Sequence, residues 1–415
     1  MEKLKSLGPG LLYAGAAIGV SHLVQSTKAG AMFGYVLIIA IILANIVKYP
    51  FFEAGPRYTA STGKSLIQGY TGLGKWAIPV ILIITVSTMF TIQAAVTIVT
   101  AGLAQQLFGV EWNPTLWSAI LLGVCMLFLF AGKYSLLDKV IKYIMILLAI
   151  TTLVALTASF AGKGEWKATT SAFDITDVNH LVFLVTLIGW MPAPLDISIW
   201  QSLWAKEKKK SNSFNLKTAI FDFKVGFWGT LVLAICFLML GANVLFQSGV
   251  ELSAAPGGYA KQLINVYTSS IGQWAFYIIA IAAFATMFST TLTCLDAVPR
   301  VLSDLTGSIK ENFSDSKEKP SDKYLSKWYW AFVLIISAGT LIVLGYFVSS
   351  MKQMVMIATV VSFLTAPVIA LLNYLVLHKG DLKPEDRPSE GMKKFSQFGI
   401  VILALFALYY LTMLF

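Results

Sequence analysis

Eleven runs of about 20 apolar residues, near 9–33, 35–54, 77–103, 115–131, 138–160, 180–202, 219–245, 270–299, 328–349, 354–377 and 395–414, take up most of the chain. Each is long enough to cross a bilayer as a helix. In hydrocarbon every backbone N–H and C=O needs an internal partner, so spans of this kind fold as helices. With 57% hydrophobic and 13% charged residues among 415, a soluble globular domain is excluded. The expected class is an all-α polytopic membrane protein of eleven transmembrane helices, one domain over residues 1–415.

The net charge of +10 follows from topology and implies no nucleic acid. With a cytoplasmic N-terminus, 26 of the 31 Lys and Arg fall in or beside cytoplasmic segments, and Lys28, Lys163, Lys167, Lys261 and Lys352 do not. That asymmetry predicts an inner or plasma membrane protein with its C-terminus outside. Met1–Leu7 leads straight into the first span, so no removed signal peptide is expected. Cys125, Cys236 and Cys294 lie within apolar runs and read as small buried residues, with no disulfide framework or zinc knuckle. The stretches Lys206–Lys217, Thr306–Lys327 and His378–Lys394 read as polar cytoplasmic connectors, Lys206–Lys210 lying near anionic lipid heads. Gly63-Lys64-Ser65 lacks the upstream glycine of a phosphate loop, so no ATPase is expected. The partners expected are a small solute or metal ion and the lipid bilayer, with a monomeric chain.

Two runs are interrupted, the first at Gly19-Val20-Ser21-His22 and the sixth from Gly189 to Asp196, through Trp190, Met191, Pro192, Ala193, Pro194 and Leu195. Open backbone inside a membrane is tolerated where it lines a cavity, and paired interruptions mark the solute site of a secondary transporter. Spans one to five (9–160) and six to ten (180–377) form two sets of five, with 395–414 as an additional helix. An odd number of spans per set inserts the second upside down, which brings both interruptions to the midplane.

The residues around these breaks resemble a known family. Gly8-Pro9-Gly10 with Lys28-Ala29-Gly30-Ala31-Met32-Phe33-Gly34-Tyr35, Met191-Pro192, Leu137-Asp138-Lys139-Val140, Ser289-Thr290-Thr291-Leu292-Thr293 and Pro367 are similar to the NRAMP divalent-metal transporters. The resemblance implies the leucine-transporter (LeuT) type of fold, a 5+5 inverted repeat plus one helix, with spans one and six discontinuous. It also implies metal transport, yet the metal motif departs. Where the family has Asp-Pro-Gly-Asn this chain has Gly19, Val20, Ser21 and His22, and the His of Met-Pro-His is Ala193. The acids of span three fall on Gln93 and Val96, and the glutamine of span ten on Thr359.

His22, Met191 and Asp196 together offer N, S and O donors to one ion, Asp196 lying three residues beyond Ala193 on the same helical face. The bland alternatives are a hydrogen-bonded imidazole for His22 and a helix N-cap for Asp196. Lys28 stands ~9 Å above the first break, on a stripe with Ser21 and Gln25 that would line an outward vestibule. A cation there repels a divalent ion and suits an anionic or zwitterionic solute, although a lysine snorkelling to the interface explains it equally. Ser289, Thr290 and Thr293 bring hydroxyls to span eight, where a sodium ion would sit, or bond their own backbone. Proton coupling would use His22 or Asp196. Asp296 and Arg300 read as a structural pair. The first expectation is therefore a metal cation symporter working by alternating access, with a rearranged site. The alternative is a carrier of the same fold for a small organic solute of the amino-acid kind. No nucleophile–base set is readable, so no enzyme and no cofactor are expected, only a transported or coupling cation.

Overall fold

The structure, a computed structural model, describes residues 8–132, 134–161, 173–209, 214–246, 248, 252–313, 320–347 and 350–414. Lys163, Lys167, Met1–Leu7 and parts of the Lys206–Lys217 and Thr306–Lys327 stretches lie outside the described residues. Each of the eleven apolar runs carries helix. In chain order these are α1 (Pro9–Ala17) and α2 (Thr27–Phe33), joined by a π-helical turn Val20–Ser26; α3 (Ile38–Thr62); α4 (Leu66–Leu73); α5 (Ala77–Phe108); α6 (Pro114–Phe130); and α7 (Tyr134–Ala161). Then come α8 (Val178–Gly189), α9 (Asp196–Lys209), α10 (Leu216–Leu245), α11 (Pro256–Ile271), α12 (Phe276–Phe313), α13 (Asp322–Ile342), α14 (Met351–Lys379) and α15 (Glu390–Leu414). Among the described residues, seven helical stretches are long and apolar enough to cross a membrane alone, and Pro114–Phe130, Ile146–Phe160 and Val178–Gly189 are shorter apolar helices.

Two of the expected connectors are shorter than the composition suggests. Helix α12 runs on to Phe313 and α13 begins at Asp322, while α9 reaches Lys209 and α10 starts at Leu216. Extending an existing helix adds one hydrogen bond per residue without a new nucleus, so polar residues beyond the bilayer stay helical. Side-chain caps set several of the starts: Asn113 accepts from Thr115 N–H at 2.7 Å and Asp177 from Asn179 N–H at 2.8 Å.

The first span packs on α10 through backbone. A Cβ on Gly10 would land on the carbonyl of Asp222 and one on Gly226 on that of Gly10; farther along, Gly30 meets the carbonyl of Leu238 and Gly241 that of Thr27. Small residues of this kind let membrane helices approach closely. The start of α1 is pinned to the same helix, because Gly8 N–H and Gly10 N–H donate to Asp222 Oδ1 and Oδ2 at 3.0 and 2.7 Å. Tyr13 then packs edge-on against Phe52 at 5.4 Å and stacks on Phe227 at 6.0 Å.

Two short helices outside the eleven runs lie at opposite ends. In α4, Gln68 accepts from Lys206 at 3.1 Å and its cap Ser65 donates to Asp304 at 2.9 Å. In α11, Tyr259 Oη donates to the carbonyl of Val24 at 3.0 Å. Just past α14, Asp381 accepts from Tyr58 Oη at 2.7 Å and from Lys64. Burial raises that carboxyl, and the two donors outweigh burial, leaving it below the usual carboxylate range.

Candidate functional site

Both interruptions are present, with one adjustment. Helix α8 ends at Gly189, Trp190–Leu195 are non-helical, and α9 starts at Asp196. In the first span only Ile18 and Gly19 leave the helix; Ser21 and His22 belong to the π-turn, where Leu23 N–H already bonds the Gly19 carbonyl at 3.0 Å. The opening is shorter than expected because side chains take up the loose carbonyls. Thr290 Oγ1 donates to Gly15 O at 3.2 Å, Ser21 Oγ lies 2.5 Å from Ala17 O, and Ser26 Oγ donates to Ser21 O at 3.1 Å. A π-turn inside a helix is a common mark of a functional position.

His22 is fully buried with both ring nitrogens engaged. Nε2 lies 3.0 Å from the Thr230 carbonyl on α10, an acceptor only, so this nitrogen carries the proton; Nδ1, 2.7 Å from Ser21 Oγ, then accepts from the hydroxyl. Ser21 has one proton and three neighbours in reach, Nδ1, Ala17 O and, at 3.3 Å, Pro192 O of the second break. A second proton on the ring would donate to Ser21 and release its hydroxyl to a carbonyl.

The expected metal donors have separate surroundings. Met191, fully buried, packs with Phe33, Leu187, Ala234 and Leu238, whereas Ala193 belongs to the main core. Asp196 turns its carboxylate to α5, where Thr88 donates to Oδ1 at 3.0 Å; Oδ2, also buried, has no hydrogen-bond partner among the described residues. No group of three or more His, Cys, Asp or Glu suited to a metal ion occurs among the described residues. Thr359 bonds its own helix at Val355 O and Met356 O, and Gln93 ties α5 to the Thr291 carbonyl at 3.2 Å, its Oε1 unpartnered. Ser289 and Thr293 are buried on α12, and Thr290 bridges to Gly15, so hydroxyl and carbonyl meet directly there.

Three cavities lie along the route. At one end a cavity of about 400 Å³ is lined by Gln25, Lys28, Met32, Tyr259, Lys352 and Val355, among others. Lys28 sits 5.4 Å over the ring of Phe183, and the buried Gln25 Oε1 has no hydrogen-bond partner among the described residues. Of the stripe Ser21, Gln25 and Lys28, the last two line this cavity, whereas Ser21 lies deeper. It borders a chamber of about 20 Å³ between the breaks, walled by Ala17, Ile92, Trp190, Pro194, Thr290 and Cys294 among others. At the other end, about 710 Å³ is bordered by Lys206, Glu207, Asp296, Arg300, Asp304 and Tyr329. There Asp296 accepts from Arg300 at 2.8 Å and from Tyr329 at 2.7 Å, in agreement with a structural pair.

Sequence reading missed Lys48, Lys352 as a vestibule residue, and Gln201. Lys48, fully buried in α3, donates to the carbonyls of Ile188 and Gly189 at 2.6 and 3.0 Å. Its signal was present, since a lone lysine inside an apolar run is a functional candidate by default. Gln201 is fully buried on α9 with neither amide atom hydrogen-bonded among the described residues; the sequence around it carries no such signal.

The description Natural resistance-associated macrophage protein-like (Nramp) fits a family match over residues 10–413. An uncharacterized protein of Pasteurella multocida is 37% identical over 414 residues, 99% of this chain and 93% of that one. The divalent metal cation transporter MntH of Staphylococcus saprophyticus is 26% identical over 310 residues, 70% of this chain and 68% of its own. Among solved structures, a mutant of the Eremococcus coleocola manganese transporter aligns with TM-score 0.70 at 16% identity, covering 97% of this chain and 85% of that one. MhsT in complex with L-phenylalanine aligns with TM-score 0.67 at 15% identity, covering 98% of each.

Proposed function

The chain belongs to the natural resistance-associated macrophage protein-like (Nramp) family of membrane transporters, and we propose that within it this protein carries a small organic anion or zwitterion. It is a secondary transporter and not an enzyme. The observation that carries the reading is the vestibule of about 400 Å³, which sets Lys28 and Lys352 beside an unpartnered buried amide oxygen. Two ammonium groups attract a carboxylate and repel a divalent cation. Gln25 Oε1 complements an N–H donor, the other half of an amino-acid-like solute. The four residues at the first break supply neither a carboxylate nor a carboxamide oxygen, so a hard divalent ion has lost its ligands there.

The inverted repeat accounts for the rest of the cycle. Helices α1–α7 form one set and α8–α14 the other, with α15 additional. Supporting this, α4 lies between the second and third spans of the first set, and α11 between the second and third spans of the second. They sit at opposite ends of the molecule, as antiparallel sets require. By the distribution of lysines, the Lys28 vestibule faces outward and the Asp296 vestibule the cytoplasm. The chamber between the breaks, closed here to about 20 Å³ and too small for such a solute, has to widen as alternating access opens it to each side in turn.

A metal reading has its own support. MntH and the manganese transporter are relatives in sequence and fold, and Asp196 Oδ2 is a buried carboxylate oxygen with a free lone pair. One experiment separates the two. The purified chain is melted with MnCl₂ and with a panel of small carboxylates and amino acids, and uptake of any stabilising compound is followed in proteoliposomes under proton and sodium gradients. We expect stabilisation by a carboxylate-bearing compound, reduced at least tenfold in apparent affinity by Lys28→Glu. Stabilisation by MnCl₂ with none by any carboxylate, abolished in Asp196→Asn, establishes the metal reading instead.

A further inference from the structure

Lys48 is 0% exposed and forms no ion pair among the described residues. A buried ammonium is costly unless something negative meets it. What meets it here is the carbonyl end of α8, through Ile188 O at 2.6 Å and Gly189 O at 3.0 Å. A helix C-terminus carries about half a negative charge and leaves its last carbonyls unsatisfied. In transporters with interrupted helices, such carbonyl ends are where a small coupling cation is coordinated.

We propose that the Lys48 ammonium is a tethered cation that occupies the carbonyl end of α8 in place of a dissociable ion. That end also packs closely on α14. Gly189 lies directly on the Thr359 carbonyl of α14, and Trp190 Nε1 donates to Ser362 Oγ at 2.8 Å on the same helix. The end of α1 is met in parallel by uncharged donors, Thr290 Oγ1 on Gly15 O at 3.2 Å and the Gly19 N–H on Ala17 O at 2.8 Å. Both broken helices are therefore capped from within the chain, and only the second uses a full charge. An alkali cation approaching α8 meets an ammonium already in its place.

The test uses the full-length chain purified in detergent, melted in NaCl, LiCl, KCl and choline chloride at matched ionic strength. Wild type is expected to melt at one temperature in all four. Lys48→Ala removes the cation from both carbonyls, Ile188 O keeping its bond from Met191 N–H at 3.1 Å, so its melting temperature should drop in choline chloride and recover by several degrees in NaCl or LiCl. Lys48→Arg, which keeps the charge, should stay indifferent to the salt. Should Lys48→Ala not be recovered from membranes, Lys48→Gln takes its place with the same expectation. A merely structural lysine would lower stability equally in every salt. The proposal is overturned if NaCl stabilises wild type over choline chloride, or if the uncharged variant responds alike to all four salts.

Discussion

His22 illustrates how little of a side chain's task is visible from its neighbours in sequence. An imidazole in a membrane span announced a polar duty, and Ser21 beside it was in plain view. The other partner, the Thr230 carbonyl, lies 208 residues away on α10, and no local pattern points to it. Asp196 is similar, since its position in the second break was legible while its bond to Thr88 on α5 was not. Removing the His22 ring takes away two hydrogen bonds and leaves a gap in the core. His22→Ala should therefore lose about 2–4 kcal/mol of stability, read as a lower melting temperature. His22→Gln, which keeps a donor and an acceptor, should lose less than half as much. Equal losses in both would mean that ring volume, and not the bridge between the first break and α10, is what His22 contributes.

Helix in each apolar run, and an interruption in the first and sixth, were legible because their cues are local: apolar length for the runs, glycine and proline for the interruptions. The π-turn was not, since it depends on hydroxyls from α12 arriving at carbonyls of α1. Nor were α4 and α11, which are too short and too mixed in composition to register as membrane runs. The contact between the first span and α10 makes a sharp demand on single atoms. Gly30→Ala places a methyl group against the Leu238 backbone, and we expect a loss of about 3 kcal/mol, at the upper end for overpacking. A control at Gly123, where nothing lies within 4 Å of an added Cβ, should stay within about 0.5 kcal/mol. Comparing the two in membranes by yield and by thermal melting checks whether this packing is as close as described.

Orientation and access can be read from chemical labelling. Met32 is 44% exposed at the Lys28 vestibule and Ser326 lines the opposite one, while Cys125, Cys236 and Cys294 are buried. In intact cells a membrane-impermeant maleimide should modify Met32→Cys, whereas Ser326→Cys should react only after permeabilisation and the native cysteines in neither case. The reverse order of reaction would invert the topology read from the lysines. The proposed cargo was only partly legible, because Lys28 was in view while Lys352 joins it only in three dimensions. One further result follows from the smallness of the chamber between the breaks. At about 20 Å³ it admits roughly a single water, so no file of waters joins the two vestibules through this chamber. A cell whose membrane is crowded with resting copies of this carrier should keep its voltage.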